Sequence, residues 1–205
     1  MISNYSLSNE QILSEFIQAK AILKGHFILS SGLHSDTYIQ CARVLMNPKS
    51  AEKLYQALAA KIINKLGNNK PDIVVSPAMG GVIIGYEIAR QLGVEAIFCE
   101  RVDSKFQLRR GFELKENQKV LIVEDVLTTG KSSLETFELV NQYGCNIIAE
   151  ACLIDRSNDN NISKKLGVEL ISLIEIKVAT FSKDNIPDHL RKINAIKPGS
   201  RFISK

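Results

Sequence analysis

The chain has 205 residues, 45% of them hydrophobic and 23% charged, so it is long enough to bury the core of one globular domain. Its net charge of +4 is small and dispersed, which argues against a nucleic-acid partner. The N-terminus is polar without an apolar signal segment, and no apolar stretch reaches the length of a membrane span.

The first predicted element is a helix after Ser8, which has capping-box spacing with Gln11. Its apolar positions recur at helical intervals: Ile12, Phe16, Ala19 and Leu23. Residues 25–43 are rich in turn formers and are predicted to be irregular or β-like. A second helix is predicted from an Asn47 N-cap and Pro48 to Gly67, with the apolar stripe Leu54, Leu58, Ile62 and Leu66.

From residue 73 onward, short apolar strands alternate with helices. The predicted strands are Ile73–Val75, Ala96–Cys99, Lys119–Val123, Asn146–Ile154 and Glu169–Ile174. Two helices lie between them, one from Gly80-Gly81 to about Gly93 and one from Lys131 or Ser132 to Tyr143. This alternation predicts an α/β fold, doubly wound, with a mostly parallel sheet covered on both faces.

The cysteines show no metal-binding or redox spacing, since Cys41, Cys99, Cys145 and Cys152 are far apart and form no CxxC. Cys99 and Cys152 lie in apolar runs and are predicted to be core residues. Because the sequence shows no export signal, we expect a cytoplasmic protein with reduced thiols. Its small net charge and the lack of a membrane span lead us to expect that it binds neither nucleic acid nor membrane.

Ligands of such sheets bind outside the carboxyl ends of the strands. Four segments follow those ends: Ser76–Gly81, Glu100–Arg110, Glu124–Ser132 and Asp155–Ser157. The third is the most informative, because a buried strand runs into two carboxylates and then into a Thr-Thr-Gly-Lys-Ser turn that starts a helix.

Each part of that third segment has a chemical use. The free N–H groups of a helix N-terminus attract phosphate, and Gly130 lets the backbone approach it closely. Thr128, Thr129 and Ser132 add hydroxyl donors. The Glu124 and Asp125 carboxylates would repel phosphate, so they suit a neutral polyol or a cation. An alternative is that Asp125 merely caps the turn.

The run VLIVEDVLTTGKS, residues 120–132, resembles the diphosphoribosyl-binding motif of type I phosphoribosyltransferases. Further segments resemble the orotate phosphoribosyltransferases over roughly residues 20–157: AILKGHFILSSGLHSDTYIQCARVL, PAMGGVIIGYEIA, ERVDSKFQLRRGFEL and ACLIDRS. The resemblance implies transfer of ribose 5-phosphate from 5-phosphoribosyl-1-diphosphate to orotate, with Mg²⁺, in pyrimidine nucleotide synthesis. It also implies one domain over residues 1–205, with a core of about 45–177 and a small hood from 1–44 and 178–205.

Site roles also follow from the resemblance. Glu124 and Asp125 would hold the ribose hydroxyls, directly or through water and Mg²⁺, with no direct protein ligand to the metal. The residues expected to bind the ribosyl diphosphate are Glu124, Asp125, Val126, Leu127, Thr128, Thr129, Gly130, Lys131, Ser132, Arg101, Lys105 and Arg109. Asp125 and Lys105 would be catalytic. Thr128 and Arg156 would contact orotate, and Arg156 would bind the carboxylate of orotate. The resemblance also implies that Gly80 and Gly81 let backbone amides approach the diphosphate. Two simpler interpretations stay open: Arg156 forms a salt bridge with Asp155, and the two glycines are needed only for packing.

The segment Arg101–Arg110, here called the basic segment, corresponds by resemblance to a mobile loop that closes over the diphosphate of a partner subunit in a homodimer. Arg101, Lys105, Arg109 and Arg110 supply its charge, and a solvated basic hairpin is the alternative. No histidine lies between His34 and His189, so the loop cannot use one. His34 itself is predicted to be a turn or surface residue.

Two other functions remain compatible with the motif. One is a phosphoribosyltransferase for a purine or xanthine base, which the GLHSDTY and LIDRS segments disfavour. The other is a regulator that senses the ribosyl diphosphate without turnover. It would need a DNA-binding domain or a basic face.

Overall fold

The centre of the structure, a computed structural model that describes residues 4–29, 31–157 and 162–198, is a six-stranded sheet. In chain order the elements are α1 (Asn9–Gln18), β1 (Ile22–Ile28), β2 (His34–Ile39), α2 (Ala42–Leu45), α3 (Pro48–Leu66), β3 (Ile73–Pro77), α4 (Gly80–Leu92), β4 (Glu95–Val102), β5 (Lys105–Leu108), β6 (Lys119–Leu127), α5 (Lys131–Asn141), β7 (Asn146–Asp155), α6 (Ile162–Leu166), β8 (Glu169–Glu175), β9 (Thr180–Phe181) and α7 (Asp188–Arg191).

The central sheet has the order β5-β4-β3-β6-β7-β8, and all its neighbouring strands are parallel except the β4–β5 pair. Helices α3 and α4 cover one face, where Leu54, Leu58 and Ile84 are completely buried. Helices α5 and α6 cover the other through Phe137, Val140 and Ile162. The α/β, doubly wound prediction is confirmed.

Local sequence signals placed the long helices well. The Asn47 side chain caps α3 by accepting from the N–H groups of Lys49 and Ser50, and Gly67 follows the last residue. The capping box of Ser8 and Gln11 is present at α1. Cys99 and Cys152 are fully buried core residues, as predicted.

The predicted extension of α1 to Leu23 is wrong. The helix ends at Gln18, where the N–H groups of Lys20 and Ala21 donate to the carbonyls of Ile17 and Phe16. This pattern closes a helix with a left-handed residue, and Lys20 takes that role with φ of 50° although it is not glycine. Leu23 lies in β1 instead.

A second, three-stranded sheet has the order β1-β2-β9, which brings a C-terminal strand beside the N-terminal hairpin. The prediction for His34 is wrong, because it begins β2 and is buried. Its Nδ1 lies 2.7 Å from Nε2 of His26, whose Nδ1 lies 2.9 Å from the carbonyl oxygen of Ile193. The histidine pair therefore joins the hairpin to the C-terminal part of the chain.

Candidate active site

Strands β3, β6 and β7 are parallel, so their carboxyl ends meet at one edge of the sheet. The turn before α4, the acidic pair of β6 and the residue after β7 all lie at this edge. Strand β4 is also parallel to β3, so all four predicted segments follow strand ends at this edge, as the strand order requires.

Glu124 and Asp125 lie in β6 rather than in the turn after it, since β6 pairs with β7 as far as Leu127 opposite Asp155. Successive side chains of a strand point to opposite faces. Oε2 of Glu124 accepts from Ser133 Oγ of α5 at 3.2 Å, while the Asp125 carboxylate lies beside Gly80, the first residue of α4. Glu124 and Asp125 are both half-buried.

Burial determines the acidity of this pair. It raises the pKa of Glu124 well above its ordinary value, and the neighbouring carboxylates of Glu150 and Asp125 act in the same direction. It also raises the pKa of Asp125, opposed by the backbone N–H of Val126, which donates to Oδ1 at 2.9 Å. Hydroxyl groups that donate to these half-buried carboxylates would stabilise their charged forms, so the pair suits a polyol ligand.

Gly80 is required by the position of Asp125. A Cβ at Gly80 would lie 2.6 Å from Oδ1 of Asp125, and one at Gly81 would lie 3.0 Å from the carbonyl oxygen of Val123. The start of α4 therefore packs directly on β6, which supports the packing interpretation of this glycine pair. The peptide bond between Ala78 and Met79 is cis.

The Thr-Thr-Gly-Lys-Ser turn has the geometry of an anion site. Gly130 is the N-cap of α5 with φ of 73°, a left-handed conformation that glycine adopts without strain. Thr128, Thr129 and Lys131 are exposed, and the first turn of α5 leaves N–H groups available to a ligand. Val126 and Leu127 lie in the strand; the Leu127 side chain is fully buried, which leaves only its backbone for a ligand.

Arg156 follows β7 and is held by its backbone N–H, which donates to the Leu127 carbonyl oxygen at 2.8 Å. The alternative of a salt bridge with Asp155 is not observed: Asp155 Oδ1 accepts from the N–H of Ser157, and no carboxylate of the described residues pairs with Arg156. Burial lowers the pKa of this half-buried guanidinium. A half-buried cation with no acidic partner among the described residues favours an anionic ligand.

Two residues of this edge were missed at the level of sequence. Tyr38 of β2 and Cys41 come from the N-terminal part of the chain, and the charges of both Asp125 and Arg156 act on them. Burial is the main cause of the raised pKa of Tyr38 and of Cys41. Nothing local in the sequence distinguishes them, because their place depends on how β2 lies against β6.

The basic segment forms a hairpin rather than an irregular loop. Asp103 and Ser104 turn the chain with φ of 47° and 67°, and β4 and β5 pair from Cys99–Leu108 to Val102–Lys105. Arg101 pairs with Glu135 of α5 and its guanidinium carbon lies 4.2 Å from the centre of the Phe106 ring.

Two of the four cations of the basic segment are already neutralised. Arg110 forms two hydrogen bonds with Glu100, at 2.8 and 3.0 Å, and these lower the pKa of Glu100. Arg101 is paired as described above. Lys105 and Arg109 are exposed and form no ion pair with the described residues. Of the four cations, Lys105 and Arg109 are therefore the two available to an anionic ligand.

Within the described part of the chain, no helix is long and apolar enough to cross a bilayer. The same residues contain no group of three or more His, Cys, Asp or Glu side chains that could hold a metal ion.

Comparison with known proteins identifies the family. Residues 44–184 match the phosphoribosyl transferase domain. The chain is 53% identical to the orotate phosphoribosyltransferase of Rhizorhabdus wittichii, over 95% of this chain and 97% of that protein. It is 49% identical to the one of Maricaulis maris, over 97% and 100%. The crystal structure of orotate phosphoribosyltransferase from Aeropyrum pernix shares the fold, with a TM-score of 0.67 at 24% identity, over 80% of this chain and 93% of that one.

A family match over more than half of the chain, and relatives of about 50% identity over nearly its whole length, agree with the strand-end geometry. The chain therefore belongs to the phosphoribosyltransferase family, among the orotate phosphoribosyltransferases.

Proposed function

We propose that this protein transfers ribose 5-phosphate from 5-phosphoribosyl-1-diphosphate to orotate, giving orotidine 5′-monophosphate and diphosphate. The observation that carries the proposal is the convergence at one sheet edge of three groups. They are an anion-binding turn, a pair of half-buried carboxylates, and Arg156 without an acidic partner among the described residues.

The three groups fix the orientation in which the substrates bind. The 5-phosphate accepts hydrogen bonds from the N-terminus of α5 and from Thr128, Thr129 and Ser132. The ribose hydroxyls donate to Glu124 and Asp125. Arg156 binds the carboxylate of orotate with its planar guanidinium. Thr128, which binds the phosphate, also contacts orotate.

Mg²⁺ enters this scheme with the substrate rather than as a resident ion. The carboxylates of Glu124 and Asp125 fit a hydrated magnesium ion carried by the diphosphate, because Mg²⁺ keeps several waters and prefers phosphate and carboxylate oxygens. A magnesium ion held there would neutralise charge on the leaving diphosphate.

In the reaction, the bond between the anomeric carbon and diphosphate breaks while a ring nitrogen of orotate attacks the opposite face. Positive charge develops on the ribose, as in glycoside cleavage. Orotate is already an anion, so no strong general base is needed. The protein contributes positioning of both substrates, cations such as Lys105 near the leaving group, and exclusion of water.

We propose a homodimer in which the basic segment completes the partner's site. Support comes from exposed apolar side chains on and before α4: Met79 is 83% exposed, Ile83 54% and Tyr86 63%. A cleft of about 290 Å³ lies between Ile83, Tyr86 and Phe98. Such surface is typical of an interface.

The division into a core (45–177) and a hood (1–44 and 178–205) is part of the same proposal, as is a cytoplasmic location, which the free cysteines support.

Arg156→Lys tests the orientation of the substrate. Lysine keeps the charge but not the fork, so the KM for orotate should rise about 10- to 150-fold, as expected for loss of a charged hydrogen bond of about 1.5–3 kcal/mol. The dissociation constant of the ribosyl diphosphate should change less than about threefold. An unchanged KM for orotate would mean that Arg156 binds no base.

A further inference from the structure

A third carboxylate lies close to the acidic pair, on the neighbouring strand β7. Glu150 of β7 is fully buried, with 0% of its surface exposed. Its Oε1 lies 2.6 Å from Ser133 Oγ in the first turn of α5, and the same Oγ lies 3.2 Å from Oε2 of Glu124. The second oxygen of Glu150, Oε2, is buried without a hydrogen-bond partner. A single hydroxyl thus connects two buried carboxyl groups.

Counting hydrogens shows that these three groups need an additional proton. The hydroxyl of Ser133 has one hydrogen and can donate it to only one carboxylate. If both carboxyl groups were ionised, the other contact would join two acceptors. One shared proton removes this conflict: a protonated Glu150 donates to Ser133 Oγ, and Ser133 donates to Glu124.

The surroundings also oppose two charges. Among the described residues no cation pairs with Glu124 or Glu150, and their electrostatic neighbours Asp125, Asp155 and Cys152 carry either negative charge or none. Burial raises the pKa of Glu150 to about 7. An unpartnered buried oxygen is far less costly on a neutral acid than on an anion.

We propose that Glu150 is a positioning residue, which holds this shared proton whenever Glu124 accepts hydrogen bonds from the ribose, and that Ser133 transmits its effect. The proposal rests on the proposed function in that it takes the ribose to be the ligand of Glu124. Ribose hydroxyls donate to Glu124 and favour its ionised form. The proton then resides on Glu150, which orients the Ser133 hydroxyl toward the Glu124 anion.

The predicted consequence is a loss of ribose affinity when Glu150 ionises. Below pH 7 the pair holds its proton and Ser133 points to Glu124. Above that pH Glu150 becomes an anion that competes for the Ser133 hydroxyl and repels Glu124. In Glu150→Gln the amide N–H₂ donates to Ser133 at every pH, so this variant should lose the alkaline decline.

The experiment is calorimetric binding of orotidine 5′-monophosphate, without Mg²⁺, from about pH 5.5 to about pH 9. The ratio of the dissociation constants of the native protein and Glu150→Gln cancels the titration of the ligand's phosphate. We expect a ratio near one at the acid end and a rise of about fivefold above pH 7, the loss of one hydrogen bond of about 1 kcal/mol. A ratio independent of pH would overturn the proposal.

Two further measurements separate positioning from packing. Glu150→Leu fills the space but donates nothing, so it should bind the nucleotide about fivefold more weakly than Glu150→Gln at all pH values. Equal binding by the two variants would show that Glu150 only fills volume. The unliganded native protein should also show an infrared carbonyl band of a protonated carboxyl that Glu150→Gln lacks, and this band should fade as the pH rises above 7. Its absence would overturn the proposal even if the protein fails to bind the nucleotide and the proposed function is wrong.

Discussion

Replacing Gly80 by alanine adds one methyl group at the point where α4 meets the acidic pair. The new Cβ would lie 2.6 Å from Oδ1 of Asp125 and 2.8 Å from its Cγ. An ordinary contact begins at 3.4 Å, so the carboxylate has to move by roughly 0.8 Å. Asp125 is half-buried, and its Oδ1 also accepts from the N–H of Val126, so the carboxylate has to move away from α4 and out of its present position.

This displacement should harm catalysis much more than stability. A shift of that size breaks a hydrogen bond to the ribose, worth about 2–3 kcal/mol, or roughly 30- to 150-fold in kcat/KM. Alanine is favoured over glycine in a helix by about 0.5–1 kcal/mol, which offsets part of the steric strain. We therefore expect the free energy of unfolding to change by no more than about 1 kcal/mol.

A double-mutant cycle with Asp125→Asn tests this mechanism. If Gly80→Ala acts through Asp125, adding it to Asp125→Asn should lower kcat/KM by less than about fivefold. Steady-state kinetics of orotidine 5′-monophosphate formation and urea unfolding supply the two quantities. Additive losses, or a Gly80→Ala protein with native turnover, would refute the assignment of Asp125 to the ribose.

Three other predictions follow from the same contacts. Asp125→Asn alone should reduce kcat/KM roughly 30- to 150-fold with its fold intact by circular dichroism; native turnover and substrate binding would instead support a capping role. Because burial raises the pKa of Glu150 from 4.5 to about 7, the native protein should lose up to roughly 3 kcal/mol relative to Glu150→Gln as pH rises from below 4.5 to above 7. Urea unfolding of both proteins below pH 4.5 and above pH 7 measures this difference in free energy. An unfolding free energy that changes with pH by the same amount in the two proteins would contradict it. Mixing the impaired Lys105→Ala and Asp125→Asn proteins should raise activity well above the sum of the two separate proteins, and no such gain after confirmed subunit exchange would place the basic segment in its own chain's site.

The parts that the sequence predicted correctly depend on local signals. Asn47 with Pro48 marks the start of α3, and the glycine pair before Val82 marks the start of α4. The buried strands could be recognised from apolar runs alone because both faces of a parallel sheet are covered. These signals act within a few residues of the element that they define.

The parts that were missed depend on distant contacts. Glu150 and Ser133 are 17 residues apart, and only the pairing of β6 with β7 under α5 brings them together. A hairpin in the basic segment was only an alternative interpretation, because the β4–β5 turn at Asp103 and Ser104 has no glycine, which usually signals such a turn. In the same way, Tyr38 reaches the site only through the packing of β2 near β6.

Turnover with different bases tests the central claim most directly. Purified protein is incubated with 5-phosphoribosyl-1-diphosphate, Mg²⁺ and either orotate, adenine or xanthine, and the nucleotide and diphosphate are quantified by chromatography. We predict orotidine 5′-monophosphate and diphosphate in equal amounts from orotate, and no nucleotide from the two purines. Nucleotide formed from adenine or xanthine while orotate stays inert would contradict the assignment of the base, and no turnover with any of the three would contradict the enzyme itself.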